Sequence, residues 1–379
     1  MKHVCILGGG RVGSAIAFDL SNENNFNVTV MDKEKNKVNR LKRLFHVNAE
    51  TVDLSNSRTL SKVVREFDLI INALPGKIGY KTLKTLLETG KPTCDVSFFP
   101  ENPFTLDDLA KKKRVPAVVD CGVAPGLSNI VVGHAATQME TIEDVKILVG
   151  GLPKNPDNIT GYKAPFSPTD VIEEYLRPVR CIRDSKVVTL PALSEFETVT
   201  IPGIGELEAF NTDGLRTLIH TIKCRNMVEK TLRYPGHAEK MFFLKETGFL
   251  GEKPIQVGDT LVKPRDVTVS LLFPLWQFKE GEKDFTVMQI TVKGLQEGEK
   301  TCFKFSLFDE TDPETGLLSM ARTTGFTVSL ITQLVSKNLM KETGVIPPEQ
   351  LGMKKEFYNF IINGLISRGI KIKSENKQY

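Results

Sequence analysis

The chain has 379 residues, of which 40% are hydrophobic and 25% are charged, and its net charge is +4. This balance is typical of a globular protein, and the length indicates two domains rather than one. Such a small net charge does not point to nucleic acid as a partner. No segment approaches the ~18 consecutive apolar residues of a membrane span, so a membrane partner is not expected either.

The six cysteines, at positions 5, 94, 121, 181, 224 and 302, are scattered without CxxC spacing or paired histidines. This distribution favours neither a metal site nor a disulfide framework. A predicted strand begins almost at the first residue, which leaves no room for a secretory signal. We therefore expect reduced thiols and a cytoplasmic location.

Up to Gly126, short apolar runs alternate with longer amphipathic ones. This alternation predicts βαβ units, and hence an α/β fold with a doubly wound parallel sheet of the Rossmann type. The predicted strands are Lys2–Leu7, Val28–Met31, a short one at Val52, Leu69–Ala73, Thr93–Val96 and Ala117–Cys121.

Beyond Gly126 the pattern changes to strand-like segments with fewer helical runs, which predicts an α+β domain on a mixed or antiparallel sheet. The strand-like segments are Asp144–Val149, Lys186–Leu190, Asp266–Leu272, Phe285–Val292 and Thr301–Leu307. A long amphipathic helix is predicted near Met320–Ser336. We expect residues 1–127 to form the Rossmann domain with residues 318–379 packing back on it, and residues 128–317 to form the α+β domain.

The sequence Gly8-Gly9-Gly10-Arg11-Val12-Gly13 directly follows the first predicted strand and precedes an amphipathic helix. In this context a GxGxxG pattern predicts a dinucleotide-binding site. Gly8 permits the tight turn, Gly10 lets a pyrophosphate approach the backbone, and Gly13 allows the helix to pack closely on the strand. The helix N-terminus, at Arg11 and Val12, offers N–H groups to the phosphates.

Asp32 ends the second predicted strand, about 20 residues after the glycines, where a carboxylate binds a ribose 2′-hydroxyl and repels a 2′-phosphate. Lys33 beside it would soften that repulsion. NAD is therefore the predicted cofactor, with NADP as the alternative. Asp53 is a predicted contact of the adenine amino group or, alternatively, the N-cap of the next helix.

Ligands of open parallel sheets bind at the carboxyl ends of the strands, which here are followed by residues 72–75, 95–98 and 120–126. The nicotinamide ring is predicted to lie over residues 95–98 and 120–126, and Ser97 and Phe98 are predicted to reach the substrate. Asp95 and Asp120 are candidate catalytic carboxylates, and capping of the following helices is the alternative. The predicted cofactor contacts in these segments are Asn72, Ala73, Leu74, Pro75, Val96, Val123 and Gly126.

Longer motifs follow one another along the chain. They are Asp120–Gly126, Val149–Pro153, Leu207–Gly214, Lys230–Lys240, Val262–Asp266, Met320–Thr324 and Gly344–Gln350. With the glycine loop, they make nearly the whole chain resemble the saccharopine dehydrogenase family, and within it the bacterial lysine 6-dehydrogenase branch. The resemblance implies an NAD(P)-dependent oxidoreductase that acts on a CH–NH2 or CH–NH group of a small amino acid, and it implies a homodimer.

Two positions depart from the saccharopine-reducing members of that family. Those members carry an acidic residue where this chain has Ala124 and an arginine where it has Asp213. Loss of the arginine would leave a carboxylate of saccharopine unpaired, which costs about 2–5 kcal/mol. The resemblance therefore favours L-lysine, oxidised at its ε-amine to the semialdehyde, with saccharopine as the alternative substrate.

The predicted substrate contacts come from the same motifs. Arg233 lies in a stretch that matches the family's substrate-binding motif, and a guanidinium pairs with a carboxylate in a two-pronged, planar way. A surface arginine on a strand is the alternative. Asn211, Thr212 and Thr231 are candidate polar contacts, and Phe166 is a candidate wall of the pocket.

Oxidation of a C–N bond requires hydride transfer to the cofactor, loss of a proton from nitrogen and attack of water on the imine. His237 is one of five histidines and a candidate acid or base near neutral pH. A structural histidine is the alternative, in which case Asp95 or Asp120 would be the base. The chemistry requires no nucleophile, so no cysteine is assigned to it.

Two other classes of protein share some of these features. A glycine loop followed by Asp32 also resembles the nucleotide-binding regulatory domains of potassium transport systems, which carry out no redox chemistry. This chain continues far beyond such a domain, with many polar motifs and no membrane span. The other class is an NAD-binding protein that has lost its catalytic activity.

Overall fold

The computed structural model describes residues 1–156, 159–164 and 168–378. The strands are β1 Lys2–Leu7, β2 Phe26–Asp32, β3 Asn48–Thr51, β4 Leu69–Asn72, β5 Thr93–Asp95, β6 Pro116–Val118, β7 Thr141–Pro153, β8 Val179–Arg183, β9 Lys186–Leu190, β10 Glu197–Ile201, β11 Gly205–Asn211, β12 Asn226–Arg233, β13 Ile255–Val257, β14 Thr260–Val262, β15 Asp284–Gln296, β16 Glu299–Glu310, β17 Gly344–Ile346 and β18 Lys371–Gln378. The α-helices are α1 Arg11–Ser21, α2 Lys35–Phe45, α3 Ser57–Val63, α4 Gly76–Glu88, α5 Asp107–Lys113, α6 Leu127–Ala136, α7 Pro168–Leu176, α8 Leu218–Thr221, α9 His237–Glu246, α10 Pro264–Trp276, α11 Ser319–Ser336, α12 Pro348–Gly352 and α13 Lys355–Ser367.

The described residues divide into two compact units. Unit 1 consists of Met1–Gln138, Arg216–Leu218 and Met320–Lys371, and the remaining described residues form unit 2. Helix α6, which the sequence analysis assigns to the second domain, lies in unit 1. Strand β18, which it assigns to the first domain, lies in unit 2, because it extends the sheet of that unit beside β16.

Unit 1 is built on a seven-stranded parallel sheet in the order β17-β6-β5-β4-β1-β2-β3. The central strands β1 and β4 are short apolar runs, as in β1, where Val4 to Leu7 are buried. Such runs suit a parallel sheet that is covered on both faces. The strand order reverses between β1 and β4, which is where doubly wound sheets bind ligands. The predicted α/β fold is confirmed.

Unit 2 contains a nine-stranded mixed sheet, and the predicted α+β class is confirmed. Its longest path is β10-β11-β12-β7-β15-β16-β18, and β8 joins β12 to β9. Strands β7 and β12 are parallel, whereas β15 is antiparallel to both β7 and β16. An apolar cluster around Tyr162, Tyr175 and Trp276 packs helices α7, α9 and α10 together.

One predicted strand of unit 2 is wrong. The segment Asp266–Leu272 lies inside helix α10. Its β-branched residues suggest a strand, but Pro264 occupies the first helical turn, where a missing N–H costs nothing. Val269, Leu272 and Trp276 then pack on the apolar cluster, so tertiary packing overrides the local β propensity.

None of the helices in the described ranges combines the length and apolar character that a membrane crossing requires.

The packing of α6 against α12 leaves no room for a side chain at Gly352. A Cβ there would lie far inside van der Waals contact of the Ile130 carbonyl oxygen, which is backbone and cannot move aside. We expect Gly352→Ala to lower the free energy of unfolding by about 1–3 kcal/mol, measured by chemical denaturation. Lys84→Ala, on the exposed face of α4, should change it by less than about 0.5 kcal/mol. Equal stabilities would contradict this packing.

Candidate functional site

The glycine loop of unit 1 forms a turn with free space over its centre. Gly8 has a φ of +104°, and a Cβ on it would lie 2.7 Å from the Ala73 carbonyl oxygen. A Cβ on Gly10 would meet nothing within 4 Å. The N-terminus of α1 has no side-chain cap and no acidic residue in its first turn. This cradle fits a pyrophosphate, which the backbone at Gly10, Arg11 and Val12 would hold.

Asp32 ends β2 beside this loop, with its carboxylate fixed by backbone donors. Its Oδ2 accepts a hydrogen bond from the Gly9 N–H at 2.7 Å, and its Oδ1 accepts one from Glu34 at 2.8 Å. A carboxylate oxygen has a second lone pair, so both oxygens can still accept a ribose hydroxyl. The neighbouring Lys33 is exposed.

Asp53 does not cap the helix that follows it. Its Oδ1 accepts the Ser55 N–H at 3.0 Å, and the N-cap of α3 is Asn56, which accepts from Arg58 and Thr59. The alternative of an Asp53 N-cap is therefore wrong. Its contact with adenine stays a prediction.

A buried hydrogen-bonded cluster joins the ends of β4 and β5. The Asn72 side-chain amide donates to Asp95 Oδ2 at 2.6 Å. The Ser97 backbone N–H and hydroxyl both donate to Asp95 Oδ1, at 2.8 and 2.5 Å. Asp95 is fully buried, and this burial raises the pKa of its carboxyl to about 7, with nearby Asp120 acting in the same direction. Asp95 can therefore exchange a proton near neutral pH.

Asp120 is held by an arginine that the sequence analysis missed. Arg216 Nε donates to both carboxylate oxygens of Asp120, at 3.1 and 3.2 Å, and both side chains are buried. The guanidinium lies 5.3 Å from the ring centroid of Phe98 and 5.4 Å from that of Phe99. The only sequence signal was an arginine two residues after the Leu207–Gly214 motif, because nothing local indicates a partner so distant along the chain.

The other predicted cofactor residues of unit 1 lie at the carboxyl edge of its sheet. Ala73 donates its N–H to Leu7, and Val96 donates its N–H to Asn72. Leu74 and Pro75 lead into α4, Val123 lies in the loop after β6, and Gly126 is the N-cap of α6. Their contacts with a cofactor stay predictions.

In unit 2, one face of β12 carries three buried polar residues at alternate positions, Glu229, Thr231 and Arg233. Arg233 Nη2 donates to Glu174 Oε2 at 2.6 Å, and its guanidinium lies 4.4 Å from the Tyr162 ring centroid. The alternative of a surface arginine is therefore wrong. The charge available to a substrate carboxylate is, however, already shared with Glu174.

A chain of hydroxyls connects the middle of this face to Glu229. Thr212 Oγ1 lies 2.7 Å from Glu229 Oε2 and 2.9 Å from Thr231 Oγ1. Burial raises the pKa of Glu229 to about 8, and the charges of Glu174 and Asp213 raise it as well. Thr212 and Thr231 are both predicted substrate contacts. They thus share one hydrogen-bond chain, which ends on a carboxyl group whose pKa is close to neutral pH. No motif in the sequence pointed to Glu229 as a site residue.

His237 begins α9 with both ring nitrogens occupied. Nε2 lies 2.8 Å from the Tyr175 hydroxyl, and Nδ1 lies 2.8 Å from the Thr160 carbonyl oxygen. Burial, with the charge of Arg233 as a smaller cause, lowers the pKa of His237 to about 3. The ring is therefore neutral at physiological pH, and this geometry favours the structural alternative.

The remaining predicted contacts of unit 2 differ in their surroundings. The Asn211 amide donates to Ser194 and Glu195. Asp213 accepts a two-pronged ion pair from Arg180, at 3.0 and 2.8 Å. Phe166 lies outside the described residues. In the described part of the chain, no group of His, Cys, Asp and Glu side chains could hold a metal ion.

Two family profiles match the chain. The profile described as saccharopine dehydrogenase NADP binding domain matches residues 4–118, and the one described as saccharopine dehydrogenase C-terminal domain matches residues 122–370. The boundary between the two matched regions falls next to Asp120.

Curated relatives are similar over the whole length. The saccharopine dehydrogenase (NADP(+), L-glutamate-forming) of Schizosaccharomyces pombe is 22% identical over 456 aligned positions, which cover 99% of both chains. The enzyme of the same description from Saccharomyces cerevisiae is 21% identical and covers 92% of this chain and 94% of its own. The apo structure of the S. cerevisiae enzyme superposes with a TM-score of 0.80 over 100% of both chains at 20% identity, a likeness of fold.

The buried Asp95 makes stability depend on pH. Its pKa rises on folding to about 7 from about 3.9 in the unfolded chain, so the folded state binds the proton more tightly. The stability that this protonation contributes is complete below pH ~4 and is lost as pH rises to ~7. We expect the unfolding free energy of Asp95→Asn relative to wild type to increase across this window by on the order of 1 kcal/mol per pH unit.

The measurement is urea denaturation of both proteins between pH 5 and 8. Asp259→Asn, at an exposed carboxyl, is the matched control and should follow wild type at every pH. A constant difference between Asp95→Asn and wild type would contradict the raised pKa.

Proposed function

The chain belongs to the saccharopine dehydrogenase family, and on that premise we propose that it oxidises or reduces the C–N bond of saccharopine. It is an oxidoreductase that uses a nicotinamide dinucleotide, NAD or NADP. The observation that carries the proposal is similarity to saccharopine dehydrogenases over 99% of both chains. A regulatory domain without catalytic activity would need only the dinucleotide unit.

L-Lysine is the second candidate substrate, and one specific observation favours it. The buried Asp213 stands where the resemblance implies an arginine in saccharopine-reducing members, and it binds Arg180 in a two-pronged ion pair. Arg233 is likewise paired with Glu174. Two cations of unit 2 are thus neutralised by the protein itself, which suits a substrate with fewer carboxylates.

The proton-transfer group in this proposal is Asp95. When bound, the nicotinamide ring accepts or returns a hydride. The Ser97 hydroxyl donates to the Asp95 carboxyl at the carboxyl end of β5 and can relay a proton between it and the reacting nitrogen. Because the pKa of Asp95 lies at about 7, the carboxyl can accept the proton in one direction and return it in the other.

Unit 2 supplies the substrate contacts in this proposal. Arg233 and Thr231 share one face of β12, with Arg233 holding the substrate carboxylate and Thr231 a polar group near it. His237, with both ring nitrogens occupied, positions Tyr175 and takes no part in proton transfer. We also propose that the protein is a homodimer and is located in the cytoplasm.

The substrate proposal is tested by mixing purified protein with NAD or NADP and either saccharopine or L-lysine. We expect reduced cofactor, followed by its absorbance, to form with saccharopine. Formation with L-lysine alone would favour the second candidate. No reduction with either substrate, in a protein shown to bind cofactor, would contradict both.

The cofactor preference depends on Asp32, and we propose NAD. Asp32→Asn keeps the shape of the side chain and removes the charge that repels a 2′-phosphate. We expect the ratio of kcat/KM for NAD to that for NADP to fall by about tenfold or more. Asp53→Asn, at the predicted adenine contact common to both cofactors, should leave the ratio unchanged. An unchanged ratio in Asp32→Asn would contradict the assigned role.

A further inference from the structure

We infer that Arg216 is a further cofactor-binding residue, whose Nη2 donates a hydrogen bond to the carbonyl oxygen of the nicotinamide carboxamide. The inference rests on dinucleotide binding by unit 1 and does not depend on which amino acid is the substrate.

Arg216 lies at the carboxyl edge of the unit 1 sheet, although it is distant in sequence from the strands of that sheet. The segment Arg216–Leu218 belongs to unit 1, whereas the chain on either side of it belongs to unit 2. Its side chain binds Asp120, which follows β6 directly after Val119. Ligands of doubly wound sheets bind at this carboxyl edge. The guanidinium therefore lies among the strand ends predicted to hold the nicotinamide ring.

One donor of this guanidinium lacks a partner. Nε is shared by the two carboxylate oxygens of Asp120. Nη2 is buried and, among the described residues, has no hydrogen-bond partner. A buried donor on a charged group is costly to leave without an acceptor. An acceptor supplied by a ligand would satisfy it.

The orientation of Nη2 is fixed before any ligand binds. Phe98 and Phe99 lie against the guanidinium, and Asp120 holds its Nε. Asp120 and Arg216 both have left-handed backbones, with φ of +50° and +51°. Such conformations are unfavourable for residues with a Cβ and persist where the surrounding structure imposes them. Because this donor is already held in one orientation, it loses little conformational entropy when a ligand of matching geometry binds.

The local charges favour a neutral acceptor over a carboxylate. The positive charge of Arg216 is already balanced by Asp120. A second carboxylate at Nη2 would be repelled by Asp120 and, when ionised, by Asp95, whose pKa is raised by burial and, to a smaller extent, by the Asp120 charge. A carboxamide oxygen carries no net charge and accepts the same N–H. The substrate carboxylate is thus the poorer match.

The experiment compares ligands that differ only at the nicotinamide. Arg216→Lys keeps the charge opposite Asp120 but has no planar Nη2. We expect it to weaken NADH binding about tenfold, measured by titration calorimetry without substrate, with NADPH used if it binds more tightly. ADP-ribose, which lacks the nicotinamide, should bind both proteins equally. The 3-acetylpyridine analogue of NADH keeps the carbonyl and should lose as much affinity as NADH.

Two further variants separate binding from folding. Asp120→Asn/Arg216→Gln removes both charges together and should show the same selective loss. Arg322→Lys changes another buried arginine of unit 1, which lies over Phe326 and donates to the Arg368 carbonyl, and it should leave NADH binding unchanged.

Three results would overturn the inference. Equal loss for NADH and ADP-ribose would mean that Arg216 only shapes the loop. Unchanged binding of both would mean that no part of the dinucleotide accepts a hydrogen bond from Nη2. Unchanged NADH binding with a raised KM for the amino acid would assign Arg216 to the substrate. Failure of wild type to bind any dinucleotide would instead contradict the cofactor assignment.

Discussion

Desolvation of charged groups is the constraint on which both units depend. A carboxylate or guanidinium removed from water must be paired, or the carboxylate must take up a proton. Asp120 and Glu174 are each paired with an arginine. Asp95 and Glu229 instead favour the protonated form. Among the described residues they accept hydrogen bonds from amide and hydroxyl groups only, and their pKa values rise to about 7 and about 8.

This constraint places one near-neutral acid in each unit. Asp95 lies at the carboxyl edge of the parallel sheet, where the ligand of a doubly wound fold binds. Glu229 lies on the polar face of β12 and is hydrogen-bonded to the predicted substrate contact Thr212, which in turn bonds Thr231. A C–N oxidoreductase must move a proton as well as a hydride. Buried acids of this kind meet that requirement, whereas the neutral and enclosed His237 does not.

The same constraint bears on substrate size. Every additional carboxylate that a substrate buries needs a cation or several hydrogen-bond donors to offset its desolvation. Arg233 and Arg180 are both engaged by the protein's own carboxylates. Whole-chain similarity favours saccharopine, and these paired arginines favour lysine. The two arguments differ because the first concerns ancestry and the second concerns charge at particular positions.

The sequence by itself determined what depends on local pattern. Short apolar runs that alternate with longer amphipathic ones predicted the parallel sheet. Glycine spacing with Asp32 predicted the dinucleotide loop, because the tight turn and the ribose carboxylate need those residue types at those positions. The sequence also pointed to Asp95 and Asp120 as candidate catalytic carboxylates and to Arg233 as a candidate substrate contact. It was wrong for Asp266–Leu272, where packing of one face overrides β propensity.

Only the tertiary structure decided how these residues are paired. The partners Asp120 and Arg216 are 96 positions apart in the chain, and Arg233 and Glu174 are 59 apart. No local pattern encodes such distances. Whether a histidine titrates, whether an arginine is free for a carboxylate and whether an aspartate keeps its proton all depend on burial and on these distant neighbours. The roles of His237, Arg216 and Glu229 could therefore be argued only once the fold had brought their partners to them.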